Sequence, residues 1–194
     1  MNTTKSSNPI VAFLNHISPL SPKTIADFES IIEYRTYSKG KELLAFNKQA
    51  THMYFVAKGL ARVYYKRAGK EVSDYFAIDG QFVGAVPSVF NGLPSKKAIH
   101  LLEDAQVYFF SIEDFEKCCA KHHDLETAAR KVAYYGLVEE QERIESMRFN
   151  SVAQRYEELE RKYPGITNRC PLKYIATYLG TSQVSISRIR GGNQ

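Results

Sequence analysis

The stretch PLKYIATYLGTSQVSISRIR, residues 171–190, carries the most position-specific pattern in the chain. Pro171 is suited to the start of a helix, and Leu172, Ile175, Ala176 and Leu179 then fall on one face at helical spacing. Ala176 is small enough to let a second helix approach closely. Gly180 supplies a turn, Ser182 is suited to cap the second helix, and Val184, Ile186 and Ile189 offer apolar groups, with Ile186 placed to anchor that helix against the first. The spacing predicts a helix-turn-helix that displays Gln183, Ser185 and Arg188 outward. Those types suit base edges: Gln pairs with adenine, Arg with guanine and Ser with several bases, while Ser182 at the helix N-terminus is suited to hold phosphate.

Charge points the same way. The net charge is +5, and the 26 Lys/Arg and 21 Asp/Glu divide into 18 and 18 up to Met147 but 8 and 3 beyond it. From Arg161 onward, Arg161, Lys162, Arg169, Lys173, Arg188 and Arg190 stand without a single carboxylate, the asymmetry expected of a phosphate-facing surface. Lys173 and Arg190 therefore join Ser182, Gln183, Ser185 and Arg188 as candidate DNA contacts. A solvated basic tail would not also carry apolar periodicity.

The chain ahead of this stretch has a different texture. From Tyr37 to Phe110, short runs rich in Val, Tyr and Phe, such as YFVA (54–57), ARVYY (61–65), VSDYF (72–76) and QVYFF (106–110), alternate with turns at Lys39-Gly40, Lys58-Gly59, Ala68-Gly69, Asp79-Gly80 and Asn91-Gly92. That spacing predicts an antiparallel barrel or jelly roll with room for a ligand. Before the barrel, Ser21-Pro22 reads as a helix start followed by Ile25, Phe28, Ile31 and Ile32. After it, Ser111 and Asp114 read as a capping box, and helix-forming residues continue to about Ser146 as two helices. In the second of these, Leu125, Ala128, Val132 and Tyr135 form a stripe that suits either the barrel or a twin helix in a dimer. A further helix is expected from about Asn150 to Tyr163, before the turn at Pro164-Gly165.

At 194 residues the chain accommodates two unequal domains. No apolar run reaches the roughly 20 residues of a membrane span, and the opening MNTTKSSNPIVAFLNHI has one lysine and an apolar stretch broken by Asn15 and His16, so neither a membrane partner nor export is expected and the location reads as cytoplasmic. Cys118, Cys119 and Cys170 lack the number and spacing of a disulfide framework, a zinc site or an iron–sulfur site and read as reduced packing residues. The histidines, His16, His52, His100, His122 and His123, are scattered, and the adjacent pair is splayed by a helix, so they read as surface groups. No catalytic set, no metal set and no cofactor is assigned.

On these residues the chain resembles the Crp/Fnr family of bacterial regulators over nearly its whole length. The resemblance is carried by FVAKGLARVYY (55–65), DGQFVGAVPSVF (79–90), LED (102–104) and, most specifically, LKYIATYLGTSQVSISRIR (172–190); RYEELERKYPGITNRCPLKYIATYLG (155–180) looks like a compact branch. It implies an α+β fold in three parts: a cyclic-nucleotide-binding-like sensor barrel over 1–121, a dimerisation helix over 122–147 and a helix-turn-helix DNA-binding domain over 148–194. The implied partners are double-stranded DNA at a pseudo-palindromic site, a second copy of the chain and RNA polymerase.

In nucleotide-binding members, the segment matching Gly80–Ile99 is a phosphate-binding cassette whose Glu holds the ribose hydroxyl and whose Arg pairs with the cyclic phosphate. Here Ala85 stands at the Glu position and Ser95 at the Arg position, with Lys96 and Lys97 adjacent. Gly84, Ala85, Val86, Ser95, Lys96 and Lys97 are the candidate ligand residues, and binding of cyclic AMP in the usual way is not expected. The effector, if the chain uses one, is left open. Two other readings stand beside this one: a ligand-binding barrel that regulates a protein partner through its helical end, and a cupin-like jelly-roll enzyme, for which His52 and His100 are the available barrel histidines.

Overall fold

A computed structural model describes residues 8–192. Residues 1–7, including the lone lysine of the export reading, lie outside the described part. The chain enters through α1 (Pro9–Ile17) and α2 (Pro22–Glu29). Of these, α2 starts where its cap was expected, with the Ser21 hydroxyl accepting the Thr24 amide at 3.2 Å. Helix α1 was not expected. Asn15 and His16, which interrupt the apolar run in a linear reading, lie on its exposed side, while Ile10, Val11 and Leu14 are buried.

Eight strands follow: β1 (Glu33–Tyr37), β2 (Glu42–Leu44), β3 (His52–Lys58), β4 (Ala61–Arg67), β5 (Lys70–Ala77), β6 (Gln81–Val83), β7 (Lys97–Leu101) and β8 (Ala105–Ser111), with the short helix α3 (Ser88–Asn91) between β6 and β7. They form two antiparallel sheets, ordered β1-β8-β3-β6 and β2-β7-β4-β5, the expected jelly roll. At the β4–β5 hairpin, Ala68 and Gly69 both take positive φ, +49° and +75°. The Arg67↔Lys70 pairing thus closes on a two-residue turn whose twist matches the strands.

Three apolar clusters hold these layers together. Val56, Val63, Ile99, Leu101 and Val107 fill the space between the sheets. Phe55 and Phe110, on the outer face of the first sheet, meet Ile10, Phe28 and Leu125 from the helices. On the second sheet and its connecting loops, Leu60, Phe76, Ile78 and Leu102 join Leu159, Tyr163, Ile166, Ile175, Leu179 and Ile186 of the C-terminal segment in one core.

The helices after the barrel are α4 (Ile112–Cys119), α5 (His123–Phe149), α6 (Val152–Lys162), α7 (Ile166–Arg169), α8 (Leu172–Tyr178) and α9 (Gln183–Arg190). The Ser111 hydroxyl caps α4 by accepting the Asp114 amide at 3.0 Å. Its partner in the box behaves differently, since the Asp114 carboxylate accepts from the Ser111 hydroxyl instead of reaching back to the backbone. A complete capping box does form at Ser151 and Gln154, opening α6.

With 27 residues, α5 is roughly 40 Å long. Only Leu125 and Ala128 on it are fully buried, and Val132 packs beside them, whereas Tyr135 is exposed. The expected stripe therefore splits, its first turns covering the barrel and its later turns facing outward. One histidine of the adjacent pair also departs from expectation. His122 is buried, with Nε2 2.7 Å from an Asp27 carboxylate oxygen and Nδ1 3.2 Å from the Thr24 hydroxyl, because it caps α5 against α2. Cys118 and Cys170 are buried and all three thiols are free. Among the described residues no helix is long and apolar enough to cross a membrane.

Candidate nucleic-acid interface and barrel cassette

Helices α8 and α9 meet across a turn whose chemistry is local. Gly180 takes φ +65°, the Thr181 amide donates to the Ala176 carbonyl at 2.9 Å and the Gly180 amide to Thr177 at 3.4 Å, a Schellman closure of α8. Ser182 then starts α9, its hydroxyl accepting the Ser185 amide at 3.1 Å. Ala176 and Ile186 are both enclosed, as the approach of the two helices requires.

Burial decides which side of α9 faces outward. Advancing about 100° per residue, Ile186, Ile189 and Ser185 occupy the inner arc, while Arg190, Gln183, Ser187, Val184 and Arg188 succeed one another around the outer one. Gln183, Arg188, Arg190 and Ser182 are exposed, as is Lys173 on α8. Ser185, expected outward, is half-buried, and its hydroxyl lies 2.9 Å from that of Ser182, so the two serines serve the helix cap. Val184, read as an apolar packing group, is instead 60% exposed.

The cations of the C-terminal segment divide in two. Lys173, Arg188 and Arg190 form no ion pair among the described residues, Lys173 lying only over the ring of its neighbour Tyr174. Arg169 faces the barrel. Its guanidinium holds Glu103 at 2.7 Å, Asp79 at 2.8 Å and the Gly59 carbonyl at 2.8 Å. These bonds raise the pKa of Arg169 further. Desolvation pulls the Asp79 carboxyl upward, but Arg169 and the Gly59 amide outweigh it and hold the group below the usual carboxylate range. Arg169 is thus a structural tie and not part of the phosphate-facing set to which charge counting assigned it.

A second tie involves a residue that sequence reading passed over. Arg62 on β4 has a side chain with 0% exposure, its guanidinium carbon 3.7 Å from the Tyr174 ring centroid and 4.3 Å from that of Tyr64. Arg62 Nε donates to the Ser73 hydroxyl and Nη1 to Glu71, both at 2.8 Å. Ser73 extends the seam, its hydroxyl donating to the Tyr174 carbonyl at 2.9 Å and its amide to Thr177 at 3.1 Å. Beside them, burial and the Arg62 charge push the His100 pKa down. The first helix of the pair is therefore mounted on the β4–β5 hairpin.

The cassette is closed in on itself. Ala85 has 0% exposure and joins Val89 in the inter-sheet core. Gly84 is bridged by the Tyr75 hydroxyl, which donates to its carbonyl at 2.5 Å and accepts its amide at 2.9 Å, and burial raises the pKa of that phenol. Ser95, 3% exposed, spends its hydroxyl on Lys97, donating to the carbonyl at 2.8 Å and accepting the amide at 3.0 Å. Lys97 Nζ lies 2.5 Å from Asp74, whose backbone carbonyl also accepts from Arg143 of α5 at 2.6 Å. Of the six candidate ligand residues, Val86 and Lys96 are exposed.

Among the described residues no group of three or more His, Cys, Asp or Glu could hold a metal ion. His52 and His100 sit on strands of different sheets. His52 bonds its neighbour Thr51 and lies against Phe109, while His100 lies against Tyr64 and Tyr174.

Residues 34–122 match the cyclic nucleotide-binding domain family. No curated protein matches the sequence. Among solved structures, the chain is similar to FixK2 of Bradyrhizobium japonicum, with TM-score 0.69 and 18% identity over 84% of each chain. It is also similar to a chain from Eubacterium rectale described as a transcriptional regulator of the Crp/Fnr family, with TM-score 0.67 and 16% identity over 88% of this chain and 82% of that one. The catabolite activator protein of Thermus thermophilus gives TM-score 0.57 and 18% identity over 93% and 85%. At such identities the likeness is one of fold, and it spans both the barrel and the helices after it.

Proposed function

We propose that this chain regulates transcription by binding duplex DNA as a homodimer, a reading supported by the match of residues 34–122 to the cyclic nucleotide-binding domain family and by a fold similar to that of Crp/Fnr regulators over most of the chain. The barrel through residue 121 is the sensor, 122–147 the dimerisation helix and 148–194 the helix-turn-helix DNA-binding domain. One observation supports this most: α9 presents Gln183, Arg188 and Arg190 outward beside Lys173, with no internal counter-ion for the three cations among the described residues. Such a face is completed by phosphates and base edges, with Arg188 on guanine, Gln183 on adenine and Lys173 on the backbone. Titrating the full-length chain against duplex DNA over a salt series tests it. A log–log slope near −0.9 per phosphate contact is expected, and absence of binding at low salt overturns the proposal.

The dimer reading rests on α5. Tyr134, Leu137, Val138, Ile144 and Met147 are exposed along its second half, a stripe too apolar for a solvated helix. Sedimentation should show a dimer that Leu137→Asp converts to monomer. Two such subunits would set their recognition helices in successive major grooves, roughly 34 Å apart. In vitro transcription on a selected site, with RNA polymerase, reads the remaining partner.

Cyclic AMP in the usual mode is not the effector. Ala85 offers no acceptor for a ribose hydroxyl, Ser95 offers no guanidinium fork, and the adjacent Lys97 is neutralised by Asp74. Titration calorimetry should show no micromolar cyclic-AMP binding. The DNA face also separates this reading from a barrel that acts through a protein partner, since retention on a DNA column would fall steeply with salt only in the former.

A further inference from the structure

Val184 is the one side chain of the outer arc of α9 that has no polar group, and it is 60% exposed. Single exposed apolar side chains are ordinary on a protein surface; the position is what singles this one out. Around the helix, Ser187 and Val184 are at the middle of the exposed arc, flanked by Gln183 on one side and Arg188 on the other. Val184 is also in the first turn, and the N-terminal residues of a recognition helix are those that reach base edges.

Packing within the chain does not account for it. The contacts that hold α9 come from Ile186, with Ile189 beside it on the inner arc, and a β-branched residue at an exposed helical position costs helix stability relative to Ala, Lys or Glu. What the major groove offers to an aliphatic group is the thymine C5-methyl, the single apolar feature in its code. Val184 and Arg188 are one turn apart, so their side chains are neighbours about 6 Å apart, close to two base steps of roughly 3.4 Å.

We propose that Val184 is a specificity determinant whose methyl groups cover the C5-methyl of a thymine lying within about two base pairs of the guanine held by Arg188. This deepens the DNA-binding reading and rests on it. It also reassigns the reading face: Gln183, Val184, Ser187 and Arg188 meet the bases, while Ser185 stays in the cap with Ser182.

The test uses the full-length chain. Duplexes are enriched on it from a random library, and in the enriched duplex each thymine is replaced in turn by deoxyuracil, which removes the methyl and nothing else. The wild-type chain should lose affinity about four-fold at one position per half-site, the value of one buried methyl. Val184→Ala should bind the thymine duplex more weakly by a similar factor and respond equally to thymine and uracil at that position. The inference is overturned if no position distinguishes the uracil response of the two proteins while enrichment succeeds. Failure to enrich any duplex overturns the DNA-binding reading itself, and this inference with it.

Discussion

The seam between barrel and α8 and the outer face of α9 are built from the same residue types and use them oppositely. At the seam each cation is matched within the chain: Arg62 with Glu71 and two tyrosine rings, Arg169 with Glu103 and Asp79. On α9 and the exposed side of α8, Arg188, Arg190 and Lys173 find no carboxylate among the described residues. A guanidinium enclosed by its own protein fixes geometry, because leaving it unmatched would cost several kcal/mol. One left open is available to a partner that brings the anions. Basic residues near the C-terminus thus fall into two groups, matched within the chain and open to solvent, and counting charge along the sequence merges them.

The contrast is breakable. The largest effect should come from Arg62→Ala, which empties the slot between Tyr64 and Tyr174 and removes the bonds to Ser73 and Glu71; chemical denaturation should show a loss of about 3 kcal/mol. Arg62→Met, which refills the slot without charge, should recover most of that, and equal losses from both would show that charge and not packing holds the seam.

On the open side, Arg188→Ala should leave folding unchanged. Against an enriched duplex it should cost about 1–3 kcal/mol and relax base preference at one position of each half-site. If random and enriched duplexes lose equally, Arg188 is a phosphate contact instead. Lys173→Ala sharpens the same division more gently, weakening all duplexes alike and lowering the salt slope by about 1.

Acid should produce the smallest effect. The Asp79 carboxyl is held below its ordinary value of 3.8, so its contribution to the junction is complete above that pH and is lost as pH falls through the depressed value. Hydrogen exchange should show the α7 and α8 amides losing protection below about pH 4 before those of the inter-sheet core, and Asp79→Asn should abolish that difference.

How much of this was legible depends on the range of the interactions involved. The runs at 54–57, 61–65, 72–76 and 106–110, the Ser21 and Ser182 caps, the Gly180 turn and the anchoring of Ile186 are local matters of spacing and cap chemistry, and the structure shows them where the sequence implied; β1 instead begins at Glu33, ahead of the expected barrel, and α2 ends at Glu29, so Ile31 and Ile32 fall outside the helix they were read into. Helix α1 was missed because its polar residues look like interruptions until the chain is wound so that they share a face. The outward side of α9 was misread at one residue, Ser185, since the choice depends on how the helix rolls onto α8 and on the Ser182–Ser185 hydroxyl contact. Arg62 and Arg169 carried no local signal of their role: Arg62 bonds across its own hairpin to Glu71 and Ser73, 9 and 11 residues on, but the Tyr174 ring it supports comes from the far end of the chain, and the partners of Arg169 lie 66 to 110 residues away, so only the fold brings them together.

The mounting of α8 on the barrel also limits how this molecule can be taken apart. A graft carrying only residues 150–194 would leave Leu159, Ile166, Ile175 and Leu179 without the Leu60, Phe76, Ile78 and Leu102 surface that completes their core. The C-terminal helix pair is therefore not portable. Chimeras that move it into another chain need to carry the barrel surface of Leu60, Phe76, Ile78 and Leu102 along with it, and breakpoints placed within or just after α5 would expose that apolar surface and yield aggregates.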